Sequence, residues 1–518
     1  MRKIMNIFAA ALVMLAAASC EKNEVLPDNN SEGKVVTLKA SINNGKTKAS
    51  LDDKSGETYP VLWSEGDDIA VAQFGVSGVR VYKFTLTAGE GTPNGTFTCY
   101  DAVGFDPSLE TNAVYPYTAQ LDFLVVQTNQ NYAEKSFDSD AILMMASMEE
   151  GSLKFNNILG ILKLTITGDS DETVSSIELT ANKPISGNAQ FNDKTFIVTE
   201  GPYADYKNNI VLNCPNVAID TEKEFLITVP AGTYDFAVTI NTNKGTYYKS
   251  TTNKSIKESV ILNMPPLDLI DFENSMPYVE NGVYLGDGIA LPAGEGKTII
   301  WAPVNCGYDA THKYGLQYQW GRKYGQGYDG EIPAAVLENE LLISVEAGSD
   351  EANKNNYYYK WLDSDDDYNM WYNNTPEATT TKTQYDPCPE GWRVPTNGEL
   401  ISLIYGLTED HIKIGQQSHW TTISDSNDKH DGLTGLWFYG NEEEPTDSSP
   451  KVFFPAAGYR YYIFSTSTGR DFMGNYWSSS RTQEGFAWGL EFHNSIGIEV
   501  RSAPIFPNNG YSVRCVKE

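Results

Sequence analysis

Arginine is scarce where it is most often expected. None occurs between Arg2 and Arg80, and none again between Arg80 and Arg322. Tryptophan is almost absent from the first part as well: nine of the ten, all but Trp63, lie at or after Trp301. The five histidines, His312, His411, His419, His430 and His493, also fall in the second part. The two ends of the chain are therefore built from different material, which argues for separate domains. Beyond residue 19 no apolar run is long enough for a membrane-spanning helix. None of the six cysteines stands in a C-x-x-C pair, so neither a dithiol redox motif nor a zinc ribbon is encoded. Positive charge is in deficit too, with a formal net charge of −30, and such a body repels phosphate backbones. Nucleic acid is disfavoured as a partner on that ground. Catalytic signatures are equally missing: there is no G-x-S-x-G, Walker or H-E-x-x-H sequence, and His411, His419 and His430 stand eight and eleven apart, unlike a compact zinc pair.

What is present begins with MRKIMNIFAAALVMLAAASC. Arg2 and Lys3, the apolar run Ile7 to Ala18 and small residues before Cys20 read as a secretory signal over residues 1–19. Its removal takes away Arg2 and Lys3 alone, so −30 becomes −32. Ala17-Ala18-Ser19-Cys20 resembles the lipobox of bacterial lipoproteins, with Ala17 where leucine is common. That resemblance implies cleavage before Cys20 and acyl chains on its thiol and amino group, hence a membrane partner through the lipid. Residues 20–33 are polar and aperiodic and read as a tether. Five cysteines then remain, Cys99, Cys214, Cys306, Cys388 and Cys515, an odd number in a compartment that permits disulfides. Cys99 and Cys214 lie in β-like segments and are read as small buried hydrophobes.

From residue 34 to 268 apolar residues alternate at period two, as in Val36, Leu38, Ala40, Ile42 and in Phe225, Ile227, Val229. Turn signals such as Pro93-Asn94-Gly95 and Asn243-Lys244-Gly245 punctuate them. The pattern predicts a mainly β protein with two sandwiches, 34–150 and 151–268, the break placed at Gly151 behind the acidic Glu149-Glu150. Trp63, just before Gly66-Asp67, is read as a core residue, and Asp67 and Asp68 as turn carboxylates. Residues 269–280 are a linker.

Six pieces of this region, in order, resemble the fimbrillin-like pilins and surface lipoproteins of Bacteroidales: TKAS (Thr47–Ser50), LWSEGDDIAVAQF (Leu62–Phe74), AVYPYTA (Ala113–Ala119), LKFNNILGILKLTI (Leu153–Ile166), SIELTANKPISGNAQFN (Ser176–Asn192) and FLITVPAGTYDFAVTI (Phe225–Ile240). The resemblance implies two transthyretin-like sandwiches and assembly with other fimbrial subunits by strand complementation, after proteolytic loss of an N-terminal strand. Processing in that family is arginine-directed, and here the basic choices before Arg80 are lysines, with Lys46 and Lys48 as the candidate processing sites.

Residues 281–518 carry IIWAPVNCGYD, YDPCPEGWRVPTNGEL, VFFPAAGYRY, GNYWSSS and GYSVRCV. In order and spacing these resemble the Fibrobacter major paralogous domain, related to C-type lectin-like and formylglycine-generating folds. A C-type lectin-like α+β domain is what that implies. Within it Thr396-Asn397-Gly398-Glu399 is a capping box, followed by a short helix with Leu400, Ile401, Leu403 and Ile404 inward and stopped by Gly406. Val394 is placed to staple against Leu400. For Cys388 two readings stand side by side, a reactive or metal-binding thiol and a structural one. The first needs a nearby base or ligand set, and no motif supplies it. The lectin-like resemblance, which sets a helix entry beside the last strand, implies a Cys388–Cys515 disulfide, with Cys306 free or buried.

The acidic run Asp363 to Asp367 fails as an EF-hand, since Tyr368 and Asn374 stand at the sixth and twelfth positions where glycine and glutamate are required. No catalytic residue, metal or cofactor is assigned. The Tyr-, Asn- and Asp-rich insert 324–385 offers Tyr357, Tyr359, Trp361, Trp371 and Tyr372 as a candidate ligand-contact surface for a glycan or a host protein. The reading is of a non-enzymatic lipoprotein on the outer membrane surface, a fimbrial tip or accessory subunit whose last strand, carrying Cys515, is locked at home. The alternative is a surface lipoprotein that binds a glycan or host protein without polymerising.

Overall fold

The structure, a computed structural model, describes residues 34–518 apart from 43–49, 53–57, 76–77, 120–123, 193–194, 199–205, 330–370, 372–381, 405–419, 441–445, 447, 462–465, 483–485, 495–497 and 508. The chain is mainly β and separates into two compact units, residues 1–277 with 282–284, and residues 278–281 with 285–518.

In the first unit, seven strands close a barrel in the order Val36–Ile42, Ser152–Asn157, Met144–Glu149, Thr111–Tyr115, Asp68–Gly75, Gly78–Ala88, Asn94–Cys99. The period-two alternation builds it: Ala40 and Ile42 point inward from the first strand, and Lys39 points out. Trp63 is 1% exposed and sits edge-on to Phe97, Tyr115 and Phe155 at 4.9, 5.6 and 5.3 Å, so it is the aromatic centre of this core. Asp67 is a turn carboxylate, accepting from Ser64 N–H at 2.6 Å and Tyr115 O–H at 3.0 Å.

The break placed at Gly151 falls on a hairpin turn instead. Glu150 and Gly151 have φ of 51° and 80°, and the strands on either side pair from Met144–Asn157 to Glu149–Ser152. The acidic pair interrupts the pattern because it caps a hairpin inside the barrel. The barrel ends at Asn157, and Leu159–Thr167 opens the next sheet, pairing with Lys223–Pro230 and with Ile261–Asn263. Opposite lies a five-stranded sheet in the order Thr246–Ile256, Gly232–Thr242, Thr173–Ala181, Asn209–Ala218, Asn129–Asn131. Leu162, Leu164, Ile166, Phe225 and Ile227 meet Ile177, Leu179, Phe236 and Val238 in the core between the two sheets.

The two layers of this unit are not successive along the chain, as the sequence pattern predicts, but interleaved. Asn129–Asn131 pairs in parallel with Val211–Asn213 before the chain returns to the barrel. Ile161, Leu226 and Ile261, on the reverse face of the Leu159–Thr167 sheet, join the barrel core. A sheet covered on both faces explains why these strands read as near-continuous apolar runs. Gln130 fastens the crossing: its amide accepts from Thr228 N–H at 2.9 Å and donates to Thr228 C=O at 2.9 Å, fully buried. The variant Gln130→Leu is expected to lose about 2–4 kcal/mol, because it orphans two buried backbone groups. Urea unfolding followed by far-UV circular dichroism checks this, and a change under ~0.5 kcal/mol would remove the amide from the account.

The second unit holds a sheet in the order Ile289–Pro292, Thr298–Trp301, Val516–Lys517, Trp392–Arg393. A larger sheet runs Gln317–Gln319, Gly510–Ser512, Ala457–Tyr461, Met473–Arg481, Ala487–Asn494, Ile498–Ile505, and a three-stranded one joins Trp420–Thr422, Thr434–Phe438 and Val452–Pro455. Its core gathers Trp301, Leu400, Leu403, Phe438, Phe454, Tyr476 and Phe492.

Candidate functional site

The segment 385–400 is assembled as a rigid entry to the helix Asn397–Ser402. Thr396 Oγ1 accepts from Glu399 N–H at 3.2 Å, and Glu399 Oε2 accepts from Thr396 N–H at 2.7 Å, which is a complete capping box. Arg393 grips the same carboxylate with two nitrogens at 2.8 and 2.6 Å. Upstream, the buried Asp386 accepts from Cys388 N–H at 2.8 Å and Val394 N–H at 3.0 Å, and burial pushes its carboxyl up to about 6. Lys382 Nζ donates to the carbonyls of Cys388, Pro389 and Trp392 at 2.9, 2.7 and 2.7 Å. Pro387, Pro389 and Pro395 lack backbone donors, and the Lys382 ammonium supplies donors to the carbonyls of this stretch, while Asp386 accepts from two of its remaining N–H groups.

Cys388 is joined to Cys515, with Cα atoms 5.9 Å apart and a sequence separation of 127. The strand that follows, Val516–Lys517, is paired on both sides, Trp301 with Val516 on one edge and Trp392 with Lys517 on the other. Beside Cys515, Arg514 is wholly buried. Its guanidinium donates to Asn305 Oδ1 at 2.8 Å, Ala302 C=O at 3.0 Å and Phe453 C=O at 2.8 Å, and lies 4.7 Å over the Phe454 ring. Its acceptors are neutral, and burial pulls its pKa down to about 10.

A third sulfur completes the place. Cys306 is a free, fully buried thiol whose Sγ lies within 4.8 Å of both disulfide sulfurs. It is delivered there by the stretch Ala302–Cys306, whose backbone donates to Cys515 C=O and Val513 C=O at 2.9 Å each. The Cys306 thiol donates to Glu280 Oε1 at 3.4 Å, and Tyr318 O–H donates to its sulfur at 3.3 Å. Glu280 Oε1 also accepts from Gly307 N–H at 2.7 Å, and Oε2 from Tyr278 O–H at 3.0 Å. Burial drives the Glu280 carboxyl from its ordinary 4.5 to about 7, against those hydrogen bonds, with Asp309 adding repulsion.

A carboxyl raised on folding binds more protons in the folded state than in the unfolded state, so its contribution to stability is full below about 4.5 and is lost as pH rises through about 7. Asp386 acts in the same sense between 3.8 and about 6, and His430, held neutral by burial, acts in the opposite sense below its ordinary 6.5. Comparing wild type with Glu280→Gln isolates the first term. The variant is expected to gain on wild type by about 3 kcal/mol between pH 4.5 and 7.5. Urea titrations at four pH values measure it, and a pH-independent difference would exclude a protonatable Glu280 in the fold.

Other residues singled out by sequence fall elsewhere. Cys20, Lys46, Lys48, Tyr357, Tyr359, Trp361 and Tyr372 lie outside the described residues. Trp371 is not a surface contact: it is 0% exposed, packs on Trp320 at 5.4 Å and donates its indole N–H to Arg322 C=O at 3.2 Å. An aromatic in a stretch rich in Asn and Asp reads as exposed, but this one is buried against Trp320. Cys99 and Cys214 are buried in strands. Glu280 and Tyr278 fall in the stretch 269–280 that reads as a linker in sequence, where the structure places the strand Pro277–Glu280. The one available signal was their shared phase, since Pro277–Glu280 buries alternate residues and puts both on the covered face.

Residues 300–517 match the Fibrobacter succinogenes major domain. No curated protein matches the chain. Similar solved structures include a Bacteroides ovatus protein proposed to act in cell adhesion, with 12% identity over 47% of this chain and 95% of that one, TM-score 0.32. A fimbrial protein from Bacteroides ovatus shares 12% identity over 93% of this chain and 99% of that one, TM-score 0.24. The tip fimbrial protein Mfa3 from Porphyromonas gingivalis, solved with a C-terminal truncation, shares 10% identity over 45% of this chain and 96% of that one, TM-score 0.24.

Proposed function

We propose that the chain is exported, lipidated at Cys20 and displayed at the outer membrane surface as a non-enzymatic fimbrial subunit of the tip or accessory kind. In this reading the layers of the first unit are the transthyretin-like assembly domains, and the second unit is a C-type lectin-like adhesive head for a glycan or a host protein. The observation that carries the reading is the pairing of Val36–Ile42. This strand closes the barrel, antiparallel to Asn94–Cys99 on one side and parallel to Ser152–Phe155 on the other. Lys46 and Lys48 follow it directly in sequence. Cleavage there would free the strand, uncover the core beneath Ala40 and Ile42, and leave two facing edges with unpaired backbone groups for another subunit's strand.

The strand Val516–Lys517 is not free to be donated to another subunit. Val516–Lys517 has both edges filled within its own sheet and is tethered through Cys515. The absence of arginine from Cys20 to Val79 favours the second reading, a lipoprotein that binds without polymerising. Shearing cells separates the two. The first reading expects the protein in the sheared fimbrial fraction with other subunits, and recovery solely in the membrane fraction favours the second. A glycan array probed with the full chain examines the head, and silence across it would leave host protein as the ligand class.

A further inference from the structure

Two hydrogen-bonded groups connect the free thiol to the far sulfur of the disulfide. From Cys306 Sγ the path runs to Glu280 Oε1 at 3.4 Å, across the carboxylate to Oε2, to the Tyr278 hydroxyl at 3.0 Å, and on to Cys515 Sγ at 3.7 Å. Cys306 Sγ also lies 3.3 Å from Pro387 C=O, an alternative acceptor for its single proton in the residue directly before Cys388. A nucleophile, a carboxylate base and a hydroxyl acid are thus arranged around one disulfide bond.

We propose that this cluster is an internal thiol–disulfide exchange site, in which Cys306 attacks Cys388 and releases Cys515. The Cys306 S–H bond breaks and its proton passes to Glu280 Oε1. The sulfur's electron pair forms the Cys306–Cys388 bond as the Cys388–Cys515 bond breaks, and the pair left on Cys515 takes the proton of Tyr278; rotation of the Glu280 carboxyl then carries the proton received at Oε1 to the Tyr278 oxygen, restoring hydroxyl and carboxylate. One disulfide and one thiol stand on each side, so no outside oxidant or reductant enters. Cys515 is the leaving group because the Tyr278 hydroxyl stands beside it.

Burial holds the Cys306 thiol well above its ordinary pKa, and with Glu280 raised to about 7 the exchange is slow and quickens as pH rises through that value. The other titratable or charged groups around these sulfurs are Tyr318, Asp309, Asp386 and Arg514. The consequence rests on the reading of Val516–Lys517 as a locked strand: exchange removes its covalent tether, leaves it held by backbone pairing and the Arg514 hydrogen bonds, and turns a permanent lock into a releasable one.

The test uses the full oxidised chain without reductant. After incubation at pH 8, the sample is quenched in acid, free thiols are trapped with a maleimide, and peptic peptides are mapped by mass spectrometry. A Cys306–Cys388 peptide with labelled Cys515 is expected to grow in with time, at least about tenfold more slowly in Glu280→Gln. Labelling of Cys306 with Cys99 and Cys214, and never of Cys515, at every time point would overturn the proposal, and an unchanged rate in Glu280→Gln would overturn the carboxylate relay. A second variant guards against misfolding: Cys515→Ser treated with glutathione disulfide is expected to form Cys306–Cys388, and its failure to do so also counts against the site. Both readouts are independent of whether the protein joins a fimbria.

Discussion

Replacing Arg514 with leucine is expected to cost the second unit about 3–6 kcal/mol. The guanidinium satisfies Asn305 Oδ1 and the carbonyls of Ala302 and Phe453, all in a region closed to water. Leucine removes the cost of burying a cation, but it strands three acceptors at about 1–3 kcal/mol each and gives up contact with the Phe454 ring. The loss therefore outweighs the relief. Nine of the ten tryptophans belong to this part of the chain, so tryptophan fluorescence during urea unfolding reports it directly. A shift below about 1 kcal/mol would mean that the acceptors find other partners and that Arg514 does not pin the segment carrying Cys515.

The second large effect belongs to the disulfide. Cys388→Ser with Cys515→Ser is expected to lose up to about 5 kcal/mol in the chain-entropy account, because the bond closes a loop across 127 positions. The double variant is the proper comparison, since Cys515→Ser alone leaves Cys306 within reach of Cys388. The single variant, reoxidised, is therefore expected to recover part of the loss. If single and double variants unfold at the same urea concentration after reoxidation, Cys306 is not an alternative partner.

Much of the first unit is legible because a half-buried strand writes its exposure directly as alternation, as Val36–Ile42 does. Closure of the barrel and the excursion of Asn129–Asn131 into the second sheet are not, since pairing between distant strands leaves no local periodicity. Gly151 illustrates the limit: an acidic turn looks the same in sequence whether it separates domains or two strands of one hairpin. The capping box at Thr396 and Glu399 could be read residue by residue because it is local and its spacing is set by helix geometry. Cys388–Cys515 came into view through family resemblance, and nothing local pointed to Cys306, Glu280 or Tyr278 as their neighbours. Those three depend on the placement of segments remote in sequence.

The N-terminal peptide of the protein as it occurs on cells bears most directly on the account as a whole. Surface protein is collected, digested, and its terminal peptide and any acyl group are identified by mass spectrometry. A terminus immediately after Lys46 or Lys48, with Val36–Ile42 gone, is the predicted result, and it leaves the barrel open to another subunit's strand. Acylated Cys20 still attached to an intact first strand in all of the surface protein would contradict it.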